Sequence, residues 1–134
     1  MPALTVGMKE SMSKVVSEQD VELFAEVTGD RNPLHLDESF ARSTCFKGRI
    51  AHGLLSAGLI SAILGGRLPG PGTIYLSQKL SFTAPVKIGD KITATVEVKS
   101  INRRRVTLTT TCVNQDGKVV IDGEAEVIAP TLTR

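Results

Sequence analysis

The sequence predicts an α+β fold in which a curved antiparallel sheet wraps around one long helix. Residues 53–64 are apolar on nearly every side and carry no charge, which is typical of a helix surrounded by protein. The second half of the chain alternates apolar and polar side chains with a period of two, which indicates antiparallel strands with one buried face. Because each apolar face needs a cover, the simplest packing wraps the sheet around the helix.

Four segments of the second half carry this strand pattern, and we expect them to form a meander. They are residues 74–83, 91–99, 105–112 and 119–127. Pro85 marks the end of the first segment, and Gly117 marks the start of the last, because both are turn-forming residues. One helix on one face of a sheet leaves edges and surface uncovered, and we therefore expect a homodimer.

Shorter helices are predicted before the long one. Apolar side chains at near-helical spacing indicate a helix over residues 17–27, with Ser17 as its N-cap and Gly29 just past its end. A single helical turn is expected near residues 38–42. The paired glycines at 65–66 should end the long helix, since glycine disfavours a helix interior.

Length and composition limit the class of protein. The 134 residues are close to the commonest domain size, and we expect one domain over residues 1–134. The net charge of +2 is too small to indicate a nucleic acid or an anionic membrane as the partner. The most apolar stretch is slightly short for a bilayer span and contains His52, so a buried helix is the better interpretation.

The cysteines and the one basic cluster give weaker indications. Cys45 and Cys112 are too few for a disulfide framework and stand in no metal-ligand spacing, so we expect reduced thiols in a protein of the cytoplasm. No apolar signal segment is visible at the N-terminus. The run Arg103-Arg104-Arg105 has two interpretations: a solvated hairpin end or edge strand, or a contact for the phosphates of a nucleotide-like substrate.

Acid–base chemistry is indicated where the first helix ends. Asp30 lies at the helix exit, a rigid Asn32-Pro33 turn follows, and His35 is five residues beyond the aspartate. The turn folds the chain back, so both side chains can point into one cleft and share one water, as general acid–base catalysis requires. The same residues are also ordinary turn chemistry with no function attached.

The segment from Phe24 to Asp37 resembles the signature of the (R)-specific enoyl-CoA hydratases, in the MaoC-like branch of the hot-dog fold. That signature reads approximately aromatic-Ala-x-x-Ser/Thr-Gly-Asp-x-Asn-Pro-aliphatic-His-x-Asp, and only Phe24, where Tyr is common, departs from it. The resemblance continues over the whole chain, through the Ala51-His52-Gly53 entry to the long helix and the turn at residues 85–90.

The resemblance implies a single MaoC-like hot-dog domain and a hydro-lyase activity. The expected reaction is the reversible hydration of trans-2-enoyl-CoA to (R)-3-hydroxyacyl-CoA. Asp30 would act as general base on the water that adds to C3, and His35 would orient this water and relay a proton to C2. Asn32 matches a position that supports the turn. Coenzyme A is part of the substrate, and neither a further cofactor nor a metal is expected.

Three residues of the long helix region complete the expected site. Gly53 opens the helix, where an N–H without an intrahelical partner can donate to the thioester oxygen as charge builds; the alternative is a plain helix start. His52 is expected to pack or to orient the Gly53 backbone rather than to transfer protons. Ser61 matches a family serine near the dyad and is expected to be buried, positioning the dyad or the thioester, or bonding back to its own helix.

The depth of a pocket between the sheet and the long helix should set the acyl-chain length of the substrate. Candidate lining residues of this pocket are Leu59, Ile63 and Leu64. Several rival functions stay open at this point. They are a dehydratase acting on acyl carrier protein, a thioesterase, a catalytically silent acyl-thioester-binding subunit, and, weakly, a metalloenzyme built on the two histidines and the aspartate.

Overall fold

The computed structural model describes residues 3–131, which form four helices and five strands. The elements in chain order are β1 Lys9–Val15, α1 Glu18–Thr28, α2 Pro33–Leu36, α3 Glu38–Arg42, α4 Gly53–Gly66, β2 Ile74–Phe82, β3 Lys91–Asn102, β4 Arg105–Val113 and β5 Val119–Ile128. The predicted α+β class is confirmed, and so are the four strands of the second half. Within residues 3–131, no helix is long and apolar enough to cross a membrane.

The five strands form one antiparallel sheet in the order β1-β3-β4-β5-β2. The predicted meander is correct for β3, β4 and β5 but wrong for β2, which pairs with β5 rather than with its neighbour in sequence, β3. Gly123 of β5 makes this pairing possible: a Cβ at this position would lie 1.9 Å from the carbonyl oxygen of Lys79 in β2. Only glycine allows the two backbones to approach so closely.

Strand β1 was not predicted from the sequence. It forms the other edge of the sheet, and nearly all of its side chains are exposed, so it lacks the apolar alternation that marked the other strands. Its pairing with β3 is supported by hydroxyl contacts across the strands, Ser11 to Thr95 at 2.9 Å and Ser13 to Thr93 at 2.7 Å. Cross-strand polar pairs of this kind stabilise an edge strand without a buried face.

Helix α1 begins and ends as its sequence indicates. Ser17 and Asp20 form a capping box, each side chain accepting a hydrogen bond from the other residue's backbone N–H. Gly29 adopts a left-handed conformation with φ of 81° and ends the helix. This end directs the chain into the turn that carries Asp30.

Helix α4 packs against the sheet with one face only. Ile60, Ile63 and Leu64 are fully buried against β3 and its neighbours, whereas Leu54 on the opposite side is 57% exposed. The expectation of a helix surrounded by protein is therefore wrong for the single chain, because the sheet covers only one side. The helix ends at Gly66 with Arg67 as its C-cap, so the paired glycines at 65–66 end it as predicted.

Candidate active site

The turn after α1 fixes the backbone around Asp30. The Asp30 carboxylate accepts a hydrogen bond from the backbone N–H of Asn32 at 3.3 Å, and the Asn32 side chain accepts one from Leu34 N–H at 3.0 Å. Asn32 is thereby the N-cap of α2, the short helix that carries His35. The turn chemistry seen in the sequence thus connects the aspartate and the histidine through consecutive local hydrogen bonds.

His35 is nearly buried, and its tautomer follows from one contact. Its Nδ1 lies 2.7 Å from the carbonyl oxygen of Ile50, which can only accept, so Nδ1 carries the proton. In the neutral ring Nε2 is then a hydrogen-bond acceptor. His35 and Asp30 both line the same cavity, so an acceptor nitrogen and a carboxylate are available to one bound water.

His52 supports both members of this pair. It is only 2% exposed, and its Nε2 donates to the backbone carbonyl of Asp30 at 3.0 Å. Its ring centroid lies 4.0 Å from that of His35 and 4.6 Å from that of Phe24. His52 thus packs against both rings, and its hydrogen bond goes to the Asp30 backbone instead of to Gly53; its supporting role stays a prediction.

Burial favours the neutral form of His52. Desolvation lowers its pKa below the ordinary histidine value, and the nearby His35 lowers it further, against an opposing contribution from the Asp30 carbonyl. Its Nδ1 has no hydrogen-bond partner within residues 3–131 and is sealed from solvent. A neutral imidazole at this position adds no positive charge beside His35.

Asp30, His35 and His52 each offer one atom to a cluster within 4.8 Å, a donor set that a metal ion can also use. Two contacts oppose that use. His35 Nδ1 and His52 Nε2 are engaged by backbone carbonyls, and the remaining nitrogen of His52 is buried. The geometry fits an acid–base pair with a supporting histidine better than a metal centre.

A cavity of about 490 Å³ opens at this pair and is mostly apolar. Its apolar wall includes Phe46, Ile50, Phe82, Val86, Val120 and Ile121. The sequence-based candidates for this wall were wrong: Leu59, Ile63 and Leu64 do not line the cavity, and Ile63 and Leu64 are buried against the sheet. Residues at the end of β2 and the start of β5 were missed, because their meeting depends on the unpredicted β2–β5 pairing.

Gly53 lies in the wall of this cavity as the first residue of α4. A Cβ at this position would lie 2.6 Å from the ring of Phe82, so the two residues are in direct contact. The Gly53 N–H belongs to the first helical turn, where backbone donors lack intrahelical acceptors. Its predicted role as a donor to the thioester oxygen remains a prediction.

Contrary to the prediction from the sequence, Ser61 is not buried near Asp30 and His35. It is exposed in this chain and lines a separate groove between α4 and β2, away from Asp30 and His35. Periodicity could not identify the buried side, because α4 is apolar nearly all round. The buried serine is Ser56, which is 1% exposed and whose hydroxyl has no partner within residues 3–131.

The arginine run forms the tight turn between β3 and β4, as the first of its two interpretations predicted. Arg103 has a φ of 60°, and Arg105 forms an exposed ion pair with Glu126 at 2.7 Å. Arg105 pairs with Ile128 at the end of β5, whereas the cavity contains Ile121 near the start of that strand. Within one chain the run therefore lies at the opposite end of the sheet from the cavity.

Known proteins are similar to this chain in both sequence and fold. The chain matches the model of the MaoC-like domain over residues 4–119. It is 55% identical over 126 residues to an (R)-specific enoyl-CoA hydratase from Rhodospirillum rubrum, covering 92% of this chain and 87% of that protein. It is 57% identical over 129 residues to a 3-hydroxybutyryl-CoA dehydratase from Methylorubrum extorquens, covering 95% and 82%.

A solved structure of an R-hydratase from Pseudomonas aeruginosa superposes with a TM-score of 0.91 at 50% identity, over 98% of this chain and 89% of that one. The antiparallel sheet packed on α4 is common to both, and the predicted hot-dog fold is confirmed. By its sequence and its fold, the chain belongs to the MaoC-like domain family.

Proposed function

We propose that this protein is a hydro-lyase that adds water to trans-2-enoyl-CoA and yields (R)-3-hydroxyacyl-CoA. The observation that carries the proposal is the convergence of the Asp30 carboxylate and the His35 ring on one apolar cavity. Relatives named as a hydratase and a dehydratase support the same reaction in its two directions. The apolar wall suits an acyl chain, and the polar pair in the same cavity supplies acid–base groups for the reacting carbons.

In the proposed mechanism one water is held between the Asp30 carboxylate and His35 Nε2, both of which are acceptors. Asp30 removes a proton from this water as its oxygen bonds to C3 of the enoyl group. The proton then reaches C2 through the Asp30–His35 pair. OH and H arrive from the same side of the double bond, and the likeness to an (R)-specific hydratase supports attack on the face of C3 that yields the (R)-3-hydroxyacyl thioester.

Negative charge develops on the thioester oxygen before C2 is protonated. The N–H of Gly53, at the N-terminus of α4, is the proposed donor to this oxygen, where the helix dipole also favours negative charge. Removing one such donor from an enzyme typically raises the barrier by about 3 kcal/mol. Asn32 and His52 support the pair by holding the turn and the Asp30 backbone.

The proposal requires no resident cofactor or metal, since coenzyme A enters and leaves as part of the substrate. We place the protein in the cytoplasm as a single domain over residues 1–134. The thiols of Cys45 and Cys112 are both free, which supports a reducing compartment. Burial raises the pKa of the Cys112 thiol to about 11, so this cysteine is not a nucleophile at neutral pH.

We also propose that the protein is a homodimer. The outward face of α4 carries Leu54 at 57% exposure, and the free edge strand β2 carries Ile74 and Leu76 at 55% and 43%. Contiguous apolar surface beside an unpaired strand edge is rarely left in water. A second copy of the chain offers the same strand edge and the same apolar helix face, and so can cover both.

Crotonyl-CoA tests the proposed reaction. We expect the absorbance of its conjugated thioester to fall with the purified protein, and (R)-3-hydroxybutyryl-CoA to accumulate with the thioester intact. A free-acid product would indicate a thioesterase instead. Turnover of enoyl groups on acyl carrier protein but on no CoA ester would indicate the carrier-protein dehydratase, and failure on all of these would favour a silent acyl-thioester-binding subunit.

A further inference from the structure

The guanidinium group of Arg49 contacts the backbone of His35 from outside the cavity. The Arg49 side chain is only 11% exposed, and it is not part of the cavity wall. Its Nε donates to the backbone carbonyl of His35 at 2.7 Å, and its Nη1 donates to the Glu18 carboxylate at 3.0 Å. The rigid planar fork of arginine suits two simultaneous bonds of this kind.

The bond from Arg49 is one of three that join residues 49–50 to residues 34–35. The Ile50 N–H donates to the carbonyl of Leu34 at 3.4 Å, and His35 Nδ1 donates to the carbonyl of Ile50 at 2.7 Å. His35 is thus held at its backbone by Arg49 and at its ring by the residue that follows Arg49. Together these bonds determine where His35 Nε2 points.

The second bond of Arg49 reaches α1, the helix that precedes Asp30. Glu18 is the first residue of α1, and the chain leaves the far end of this helix directly into Asp30. Arg49 therefore connects the helix that positions Asp30 with the backbone of His35. The exposed end of this connection is Glu18, whose side chain is 64% exposed, and the buried end is the guanidinium.

We propose that Arg49 is a positioning residue for the hydration reaction, fixing His35 relative to Asp30 without touching the substrate. The inference rests on the function proposed above. A shift of about 1 Å between reacting groups can lower a rate by about 100-fold, so the connection matters for turnover more than for substrate binding.

The variant Arg49→Met keeps the apolar stem and removes both hydrogen bonds. We expect kcat with crotonyl-CoA to fall by about 10- to 100-fold. KM should stay within about twofold, because Arg49 does not line the cavity. Arg105→Met is the matched control: it removes an exposed ion pair at the other end of the sheet and should leave kcat unchanged.

The histidine rings give a second readout that does not depend on activity. The chain has two histidines, so ring ¹H–¹⁵N spectra contain two sets of signals. In the wild type His35 should show a single Nδ1–H tautomer, and in Arg49→Met a mixture of tautomers. A merely structural role would lower the melting temperature and leave the tautomer and kcat of the folded protein unchanged, and that result would overturn the proposal.

Arg49→Lys covers the case in which the methionine variant fails to fold. Lysine retains the charge and one donor toward Glu18 or His35, so we expect folding, a loss in kcat of about 3- to 10-fold and altered His35 ring signals. Wild-type kcat and ring signals in Arg49→Lys would contradict the proposal in that case. An inactive wild type would instead refute the hydration, while the ring spectra would still test the placement of His35.

Discussion

His35 and His52 each donate one ring N–H to a backbone carbonyl, and the two bonds leave different atoms free. His35 keeps Nε2 as an acceptor, whereas His52 keeps a buried Nδ1. These free atoms fit the proposed roles of the two rings, proton transfer for His35 and support for His52. The sequence predicted that Asp30 and His35 converge, but it could not assign the tautomers, since the carbonyls lie 15 and 22 residues away along the chain.

The buried His52 gives the stability of the fold a pH dependence. Desolvation lowers the pKa of His52 in the folded state. The unfolded chain therefore binds a proton at His52 near pH ~6.5, whereas the folded chain binds it only at lower pH. This contribution to stability is present above that pH and is lost as the pH falls, by up to about 1.4 kcal/mol per pH unit.

The measurement is the melting temperature at fixed protein concentration, at about pH 7.5 and about pH 5.5. The melting temperature of the wild type should fall more between these two pH values than that of His52→Gln. Glutamine cannot titrate but can still donate a hydrogen bond to the Asp30 carbonyl. Equal losses in the two proteins would show that His52 takes up its proton equally well in the folded state.

Gly53 and Phe82 predict a steric result at the cavity wall. In Gly53→Ala the new methyl group meets the Phe82 ring, which is 53% exposed and can turn aside. We expect the KM for crotonyl-CoA to rise and the crowding to cost about 1–3 kcal/mol of stability. In Gly53→Ala/Phe82→Ala the two effects should be smaller than the sum of the single variants. A wild-type KM and melting temperature in Gly53→Ala alone would contradict the contact.

Among the helices and strands, those with a local sequence pattern could be predicted. Those whose position depends on pairing with a distant strand could not. The ends of α1 follow from its capping box and Gly29, and β3, β4 and β5 follow from their alternation. The polar strand β1 has no such pattern, and the place of β2 beside β5 depends on Gly123. The cavity wall could not be predicted for the same reason, because β2 and β5 meet there.

Gly123 therefore predicts a large effect at the β2–β5 junction. The methyl group of Gly123→Ala would collide with the Lys79 carbonyl oxygen, part of a backbone that cannot turn aside as a side chain does. We expect a loss of about 3 kcal/mol or more, measured as a lower melting temperature.

Gly65→Ala is the control for this prediction. A Cβ at Gly65, near the end of α4, would meet open space, so the substitution should be neutral or stabilise the protein by up to about 1 kcal/mol. Similar melting temperatures for the two variants would refute the close approach of β2 and β5.

For the whole molecule, the apolar outward face of α4 supports the proposed homodimer. The sheet buries the face that contains Ile60 and Ile63, and the apolar residues on the other face lie beside the free edge of β2. Ser61 lies on this uncovered face, so a partner chain, rather than the sheet, would bury it. The predicted burial of Ser61 then depends on assembly.

Sedimentation measures this assembly. We expect the wild type to sediment as a dimer and Leu76→Glu, on the exposed edge strand, to sediment as a monomer, because a buried charge is costly at an apolar interface. Val6→Glu, an equally polar change at an exposed valine before β1, should remain dimeric. A wild type that sediments only as a monomer would refute the homodimer.

The turnover of crotonyl-CoA by Asp30→Asn shows whether Asp30 is the general base. Asparagine keeps the shape of the side chain and the acceptor for the Asn32 N–H, and the Asp30 carbonyl still holds His52, so the fold should persist. Without a base to take the proton from water, kcat should fall by at least about 100-fold, with KM little changed. Wild-type turnover by this variant would contradict the assignment of Asp30 as the general base.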